Sequence, residues 1–315
     1  MSKNTSQPDY MKWLPPSSTA TISRCELFGR TMKSGFISGR HRSPKKGFSV
    51  EFAEHRQYVA GDDLRNLDWK VLGRKDRLYI RQYEEETNLR ATILLDASGS
   101  MDFDGNIAAP AKNGGMPLSK FDYARYVAAG LSYMLCGQQD AVGLVTFDTK
   151  IRDYLPARSA ASQVRRILEF IDKTKPGGET DPAPIFDEIA ERIPSRGLVI
   201  IISDLFSENQ DALLKALHHF NYRKHEIICL HVMADEELHF GFDGHVHFEN
   251  LEGPDEMMLD AKSIRASYLE QVNQFLKKIG DGVRKMNADY VPMNTKIPFD
   301  KALVEYLSRR RSGGR

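Results

Sequence analysis

From Leu89 onward, short apolar runs alternate with stretches whose apolar residues recur every three or four positions. Arg90-Ala91-Thr92-Ile93-Leu94-Leu95-Asp96 is a short apolar run closed by a carboxylate, the pattern of a strand buried on both faces. Phe121, Ala124, Ala128, Leu131 and Leu135 follow at helical spacing and predict an amphipathic helix. Ala141 to Phe147 reads as a second strand. Val164, Ile167, Leu168 and Ile171 predict a helix, and Ile185 to Ile193 another. Leu198 to Ser203 is a third buried strand, followed by a helix over Ala212 to Phe220, and Glu226 to Val232 is a fourth strand. Strands alternating with helices, with no hairpin turns between them, predict a doubly wound, mostly parallel α/β sheet covered on both faces. In such sheets ligands gather outside the carboxyl ends of the strands.

The flanking regions have a different texture. Residues 24–88 lack sustained helical periodicity, but Gly47 to Phe52 and Arg77 to Tyr83 alternate in a strand-like way, predicting a small β-rich module. At about 235–262, Leu238-His239-Phe240 and Val246-His247-Phe248 around Phe242-Asp243-Gly244-His245 predict an inserted hairpin. A long helix then carries Ala266, Leu269, Val272, Leu276, Ile279, Val283 and Met286 on one stripe. A last strand (288–293) and helix (300–307) complete the α/β domain over 89–308. Residues 1–23 read as a loose tail, and 309–315 (RRRSGGR) as a basic one.

Composition narrows the function classes. With 44 basic and 43 acidic residues the net charge is +1, so the global field favours neither nucleic acid nor a membrane surface. The longest aliphatic run, Leu198 to Ile202, is far short of the ~20 residues a spanning helix needs, so no membrane insertion is expected. Cys25, Cys136 and Cys229 are odd in number and form no CxxC pair, which fits a reducing, cytoplasmic setting.

The candidate chemistry lies where the first buried strand ends. Asp96-Ala97-Ser98-Gly99-Ser100 places a carboxylate and two hydroxyls at alternating positions in a loop, hard oxygen ligands suited to magnesium or manganese. Alone the pattern is weak, because serines after a strand often only cap the next helix. Thr180, in the turn Gly177-Gly178-Glu179-Thr180-Asp181, offers another hydroxyl, and Asp204 closes the strand Leu198 to Ser203 with a second carboxylate. If that strand neighbours the one ending at Asp96, both carboxylates lie at one edge of the sheet.

These residues resemble the metal-ion-dependent adhesion site of von Willebrand factor A domains over about residues 89–235 and the final strand and helix. A wider pattern includes Ser43, Gly47 to Phe52, Arg56 to Arg65 and Asp68-Trp69-Lys70. By it the chain is similar to the bacterial domain-of-unknown-function family 58, commonly associated with MoxR-type AAA+ ATPases. The resemblance implies that Asp96, Ser98, Ser100, Thr180 and Asp204 hold Mg2+ (or Mn2+), with Asp96 and Asp204 ligating partly through water. It also implies a non-enzymatic module whose protein partner donates a carboxylate to the metal, in chaperone-like or complex-maturation work. Two departures stand out. Leu205 occupies a position that is glycine in many adhesion domains, and the loop 101–119 is long and rich in Gly, Ala and Pro.

The main rival is a metal-dependent phosphohydrolase using the same carboxylates. Haloacid-dehalogenase-type phosphatases, however, place a carboxylate where Ser98 stands. No GxSxG elbow and no GxxxxGK[ST] phosphate loop is present. His245 and His247, and the adjacent His218 and His219, lack further ligands nearby and read as surface residues. The basic cluster Lys33, Arg40, His41, Arg42, Lys45 and Lys46 reads as a solvated loop.

Overall fold

The computed structural model describes residues 9–25, 27, 50–59, 67–75, 77–85, 89–105, 118–178, 181–251 and 256–311. The chain divides into two compact units, Met1–Phe28 together with Leu89–Arg315, and Gly29–Asn88. Residues 9–22 correct the expectation of a loose tail over that stretch. Asp9–Trp13 forms a 3-10 turn and α1 (Pro16–Ile22) follows, with Pro16 at its first position where the missing N–H costs nothing. Trp13, Leu14 and Ile22 are buried. The Trp13 indole N–H donates to Asp172 at 2.9 Å, and the Arg125 guanidinium lies 4.7 Å from its ring centre. A helix of seven residues beside two prolines is too short to show periodicity, which is why the pattern missed it.

In the smaller unit, β1 (Val50–Gln57) pairs antiparallel with β2 (Tyr79–Glu85), as the alternation in that region predicts, with an irregular register between Phe52 and Glu54. Between them α2 (Trp69–Lys75) is capped by Asp68, whose carboxylate accepts the amides of Lys70 at 2.9 Å and Val71 at 3.2 Å. Asp62, Asp63 and Arg65, and the basic cluster at 33–46, lie outside the described residues.

The apolar runs of the larger unit form one six-stranded sheet. Its strands are β3 (Arg90–Asp96), β4 (Ala141–Phe147), β5 (Ile151–Arg158), β6 (Gly197–Ser203), β7 (His225–Met233) and, after a small separate hairpin, β10 (Asp289–Asn294). The order is β10-β7-β6-β3-β4-β5. All neighbours are parallel except β4 and β5. This is the doubly wound, mostly parallel architecture the alternation predicts. The hairpin joining β4 to β5 corrects the expectation that no such turn occurs. Ile151–Arg158 is half-exposed, carries Pro156 and lies at the sheet edge, so it lacks the continuous apolar run of a central strand.

Helices cover both faces. On one side, α3 (Lys120–Gly137) packs against β3 and β4 together with α4 (Ala161–Lys173). On the other, α5 (Pro182–Arg192) and α6 (Gln210–Tyr222) place Ile185, Phe186, Ile189, Leu213, Leu217 and Phe220 against Val145, Val199, Ile201 and Cys229 of the sheet. After β7 the structure corrects the expected hairpin: Asp235–His239, read as part of its first arm, forms the short helix α7, and β8 (His245–Glu249) pairs instead with β9 (Glu256–Asp260), which follows it in the chain. The long α8 (Ala261–Lys285) then adds Ile279 and Val283 to the second face. Phe240, Phe242, Phe248 and Tyr268 cluster at ring separations of 4.5–6.0 Å and seat the hairpin on α8.

The last helix, α9 (Phe299–Arg311), packs on α1 and α3. It corrects the start of the expected basic tail: Arg310 is buried on the same face as Leu303, Tyr306 and Leu307 and pairs with Asp289 and Glu226. Among the described residues, no helix is long and apolar enough to cross a membrane.

Candidate functional site

β3 and β6 are adjacent and parallel, with Leu95 opposite Ile202, so the condition set by the sequence is met. Asp96 at the end of β3 and Asp204 just beyond β6 come out at the same carboxyl edge, and both are buried. Ser98 precedes a single 3-10 turn, Gly99–Asp102, that folds the loop back. The turn brings the Ser98 and Ser100 hydroxyl oxygens to 3.1 Å, and Ser100 also hydrogen-bonds to Asp204. Four of the five expected site residues thus converge. Thr180 lies outside the described residues.

The chain just before Thr180 is tied to the same place. Gly99 N–H donates to the Gly178 carbonyl at 2.9 Å, and Gly177 N–H donates to the Ala97 carbonyl at 3.0 Å. Gly177 and Gly178 have φ of 148° and 92°, a left-handed path that a side chain would strain. The Arg152 guanidinium also holds the Gly177 carbonyl at 2.6 Å while pairing with Asp148. Leu205, noted as a departure from glycine, adopts φ 52° and is buried in the core. Its amide donates to Ser203 Oγ at 2.8 Å, and the next amide, Phe206 N–H, donates to Asp204 Oδ1 at 3.1 Å. The strained turn fixes the second carboxylate and leaves the Phe206 ring 58 % exposed beside it.

Three functional side chains escaped the sequence reading. Ser203 Oγ donates to Asp96 Oδ2 at 2.6 Å, while Asp96 Oδ1 accepts the Ser98 amide at 2.9 Å. Lys120, the first residue of α3, is 2 % exposed and places its ammonium 2.8 Å from Asp204 and 2.7 Å from Glu237 on α7. The other Glu237 oxygen accepts the Ala234 amide at 2.8 Å. A lysine before an amphipathic stripe ordinarily reads as solvated. The available signal was its position, since a cation at a helix N-terminus opposes the macrodipole and needs a compensating partner.

The two aspartates are electrostatically unequal. Burial, with the charge of Asp204, pushes the Asp96 carboxyl up to about 7 against the lowering effect of the Ser203 and Ser98 hydrogen bonds. Burial would raise Asp204 too, but the Lys120 ammonium, the Phe206 amide and Ser100 outweigh it and hold that carboxyl below the usual range. No lysine, arginine or histidine pairs with Asp96 among the described residues.

The donor set fits a small divalent cation. Adjacent ligands of octahedral magnesium, at roughly 2.1 Å from the ion, lie about 3 Å apart, which matches the separation of the two serine hydroxyls. An ionised Asp96 that lacks a cation would gain one. Counting Asp96, Asp204 and Glu237 against Lys120 gives a net charge of −2, which one divalent ion neutralises. The histidine pairs lie elsewhere: His245 and His247 are on β8, with His247 3.1 Å from Glu256, and His219 faces Asp187 at 3.0 Å.

Residues 54–276 match the family described as Protein of unknown function DUF58. An uncharacterized protein of Mycobacterium tuberculosis H37Rv and another of Mycobacterium bovis are each 23 % identical over 304 residues, spanning 95 % of this chain and 91 % of theirs. Three solved structures are similar. An aerotolerance-related membrane protein of Bacteroides fragilis is 15 % identical over 70 % of this chain and 100 % of its own, with a TM-score of 0.45. The conserved hypothetical protein BatB of Bacteroides thetaiotaomicron is 14 % identical over 71 % and 100 %, at 0.42. A von Willebrand factor type A protein of Catenulispora acidiphila is 16 % identical over 64 % and 44 %, at 0.34.

Proposed function

This chain belongs to the DUF58 family, and we propose that it is a magnesium-dependent protein-interaction module that takes a carboxylate from its partner. The observation that carries the reading is the meeting of Asp96, Ser98, Ser100 and Asp204 at one sheet edge, with Asp96 buried and facing no cationic side chain among the described residues. Ser98 and Ser100 would ligate the ion directly, Thr180 would join them, and the two aspartates would supply its charge. The bound ion would supply a Lewis-acidic position for an outside carboxylate. Phe206, exposed beside Asp204, is suited to bury against the partner's apolar surface around that carboxylate.

The partner class follows from the family resemblance: a MoxR-type AAA+ ATPase, in chaperone-like or complex-maturation work. Calorimetric titration of Mg2+ or Mn2+ into the protein and into Asp96→Ala tests the metal. One-site binding lost in the variant supports the site, and equal uptake by both removes it. Capture of a purified MoxR-type ATPase with and without chelator tests the partner. Turnover of phosphate esters with magnesium, abolished in Asp96→Asn, would replace this reading with the phosphohydrolase.

A further inference from the structure

The Lys120 ammonium is a costly placement. It is 2 % exposed, it stands at the first position of an 18-residue helix where the macrodipole repels it, and it carries a long side chain into fixed geometry. Burial alone would drive its proton off, yet the carboxylates of Asp204 and Glu237 hold it charged. The groups facing it are Asp204 at the end of β6, Glu237 on α7 and the Phe103 ring, whose centre lies 5.9 Å away. The nearby His231, kept neutral by burial, does not compete for the charge. Such a cation could have been spared by an apolar residue at 120 and a neutral one at 237.

We propose that Lys120 is a built-in counter-cation of the divalent site, stabilising it while it is metal-free and weakening its hold on the metal. The inference rests on the metal reading above. Without metal, the Lys120 ammonium, 2.8 Å from Asp204, holds that carboxylate in place beside Ser100, so the receiving loop need not collapse. With metal, one ammonium already answers part of the negative charge, so the ion binds less tightly than it would to the carboxylates alone. Glu237 acts in the opposite sense: it offsets Lys120 and preserves the net −2 that a divalent ion needs. Both are positioning residues, since neither is among the proposed ligands.

The charge ladder is the test. Magnesium binding is measured by calorimetry, and manganese binding by electron paramagnetic resonance, for wild type, Lys120→Met, Glu237→Gln and the double variant. With Asp96 and Asp204 ionised, the four sites carry net charges of −2, −3, −1 and −2. Lys120→Met is expected to bind metal roughly tenfold tighter or more, Glu237→Gln roughly tenfold weaker, and the double variant near wild type. Lys120→Met should also melt well below wild type in chelator and recover most of that loss in saturating magnesium. A merely structural lysine would lower the melting temperature equally in both. If Lys120→Met does not fold, Glu237→Gln alone still decides, because a structural role predicts an unchanged constant. Wild type that takes up no metal sinks the metal reading and this one with it. Wild type that binds, with variants within twofold of it, sinks this one alone.

Discussion

Among the described residues of the larger unit, two buried clusters in which one cation meets two carboxylates lie at opposite ends of the parallel strands. At the carboxyl edge Lys120 joins Asp204 and Glu237. At the amino ends, Arg310 joins Glu226 near the start of β7 and Asp289 at the start of β10. Around Arg310 the neighbours close the system: Tyr306 donates to Asp289 at 2.9 Å and accepts from Arg310 at 3.0 Å. The planar guanidinium reaches both acids at once and fastens the last helix to the sheet. Around Lys120 the point-like ammonium serves two acids, while a further carboxylate, Asp96, is buried beside them with only hydroxyl and amide donors. One cluster closes a structure. The other leaves one buried carboxylate, Asp96, without a cationic partner among the described residues.

The largest expected effect comes from breaking the closed cluster. Arg310→Met should cost about 3–5 kcal/mol by urea denaturation, because two carboxylates lose their buried partner. The loss should be the same in magnesium and in chelator. A loss that shrinks with magnesium would mean the two ends are coupled and the contrast is wrong. Asp96→Asn should do the reverse at the open cluster. At pH 8 in chelator it should gain about 1–3 kcal/mol by removing an uncompensated buried charge, while abolishing any stabilisation by magnesium. A destabilised Asp96→Asn in chelator would show that the carboxylate is needed for folding instead.

A third buried carboxylate, Asp140 at the start of β4, sharpens the contrast through pH. Burial raises it to about 6, partly offset by the Leu89 amide it accepts at 2.9 Å. Its folded value exceeds its unfolded one, so the native state holds the proton longer. That contribution is full below about pH 4 and is lost as pH rises through 6. Asp140→Asn should flatten the stability profile between those values and gain roughly 1–3 kcal/mol at pH 7. An unchanged slope in urea midpoints across that range would assign the effect elsewhere. The smallest effect should come from Tyr306→Phe, about 1 kcal/mol by thermal unfolding, since one hydrogen bond goes while the ion pairs stay. A loss near that of Arg310→Met would make the hydroxyl, not the guanidinium, the closing element.

What the sequence made legible follows from which signals are local. Asp96 and Asp204 stand where continuous apolar runs stop, so strand ends and carboxylates could be read together, and the parallel pairing of β3 and β6 places both on one edge. The Ser98 and Ser100 pattern needed only the loop that follows. The position of Lys120 at a helix start was a signal, but its partnership with Glu237 was not legible, because 117 residues separate them in the chain. Strand β5 was hidden by its half-exposed pattern and Pro156, and the first helix by its length. The departure at Leu205 was visible as a letter, but its left-handed backbone and its consequence for Phe206 were not.

Two peptide-to-peptide hydrogen bonds link the loops at 97–99 and 177–178. No exchange of one side chain for another deletes those two bonds unless it disturbs the glycine path or changes the number of residues between. The frame that presents Asp96, Ser98 and Ser100 is therefore set by the backbone path and not by the side chains the two loops carry. Loop length, more than residue identity, is what such a frame must conserve.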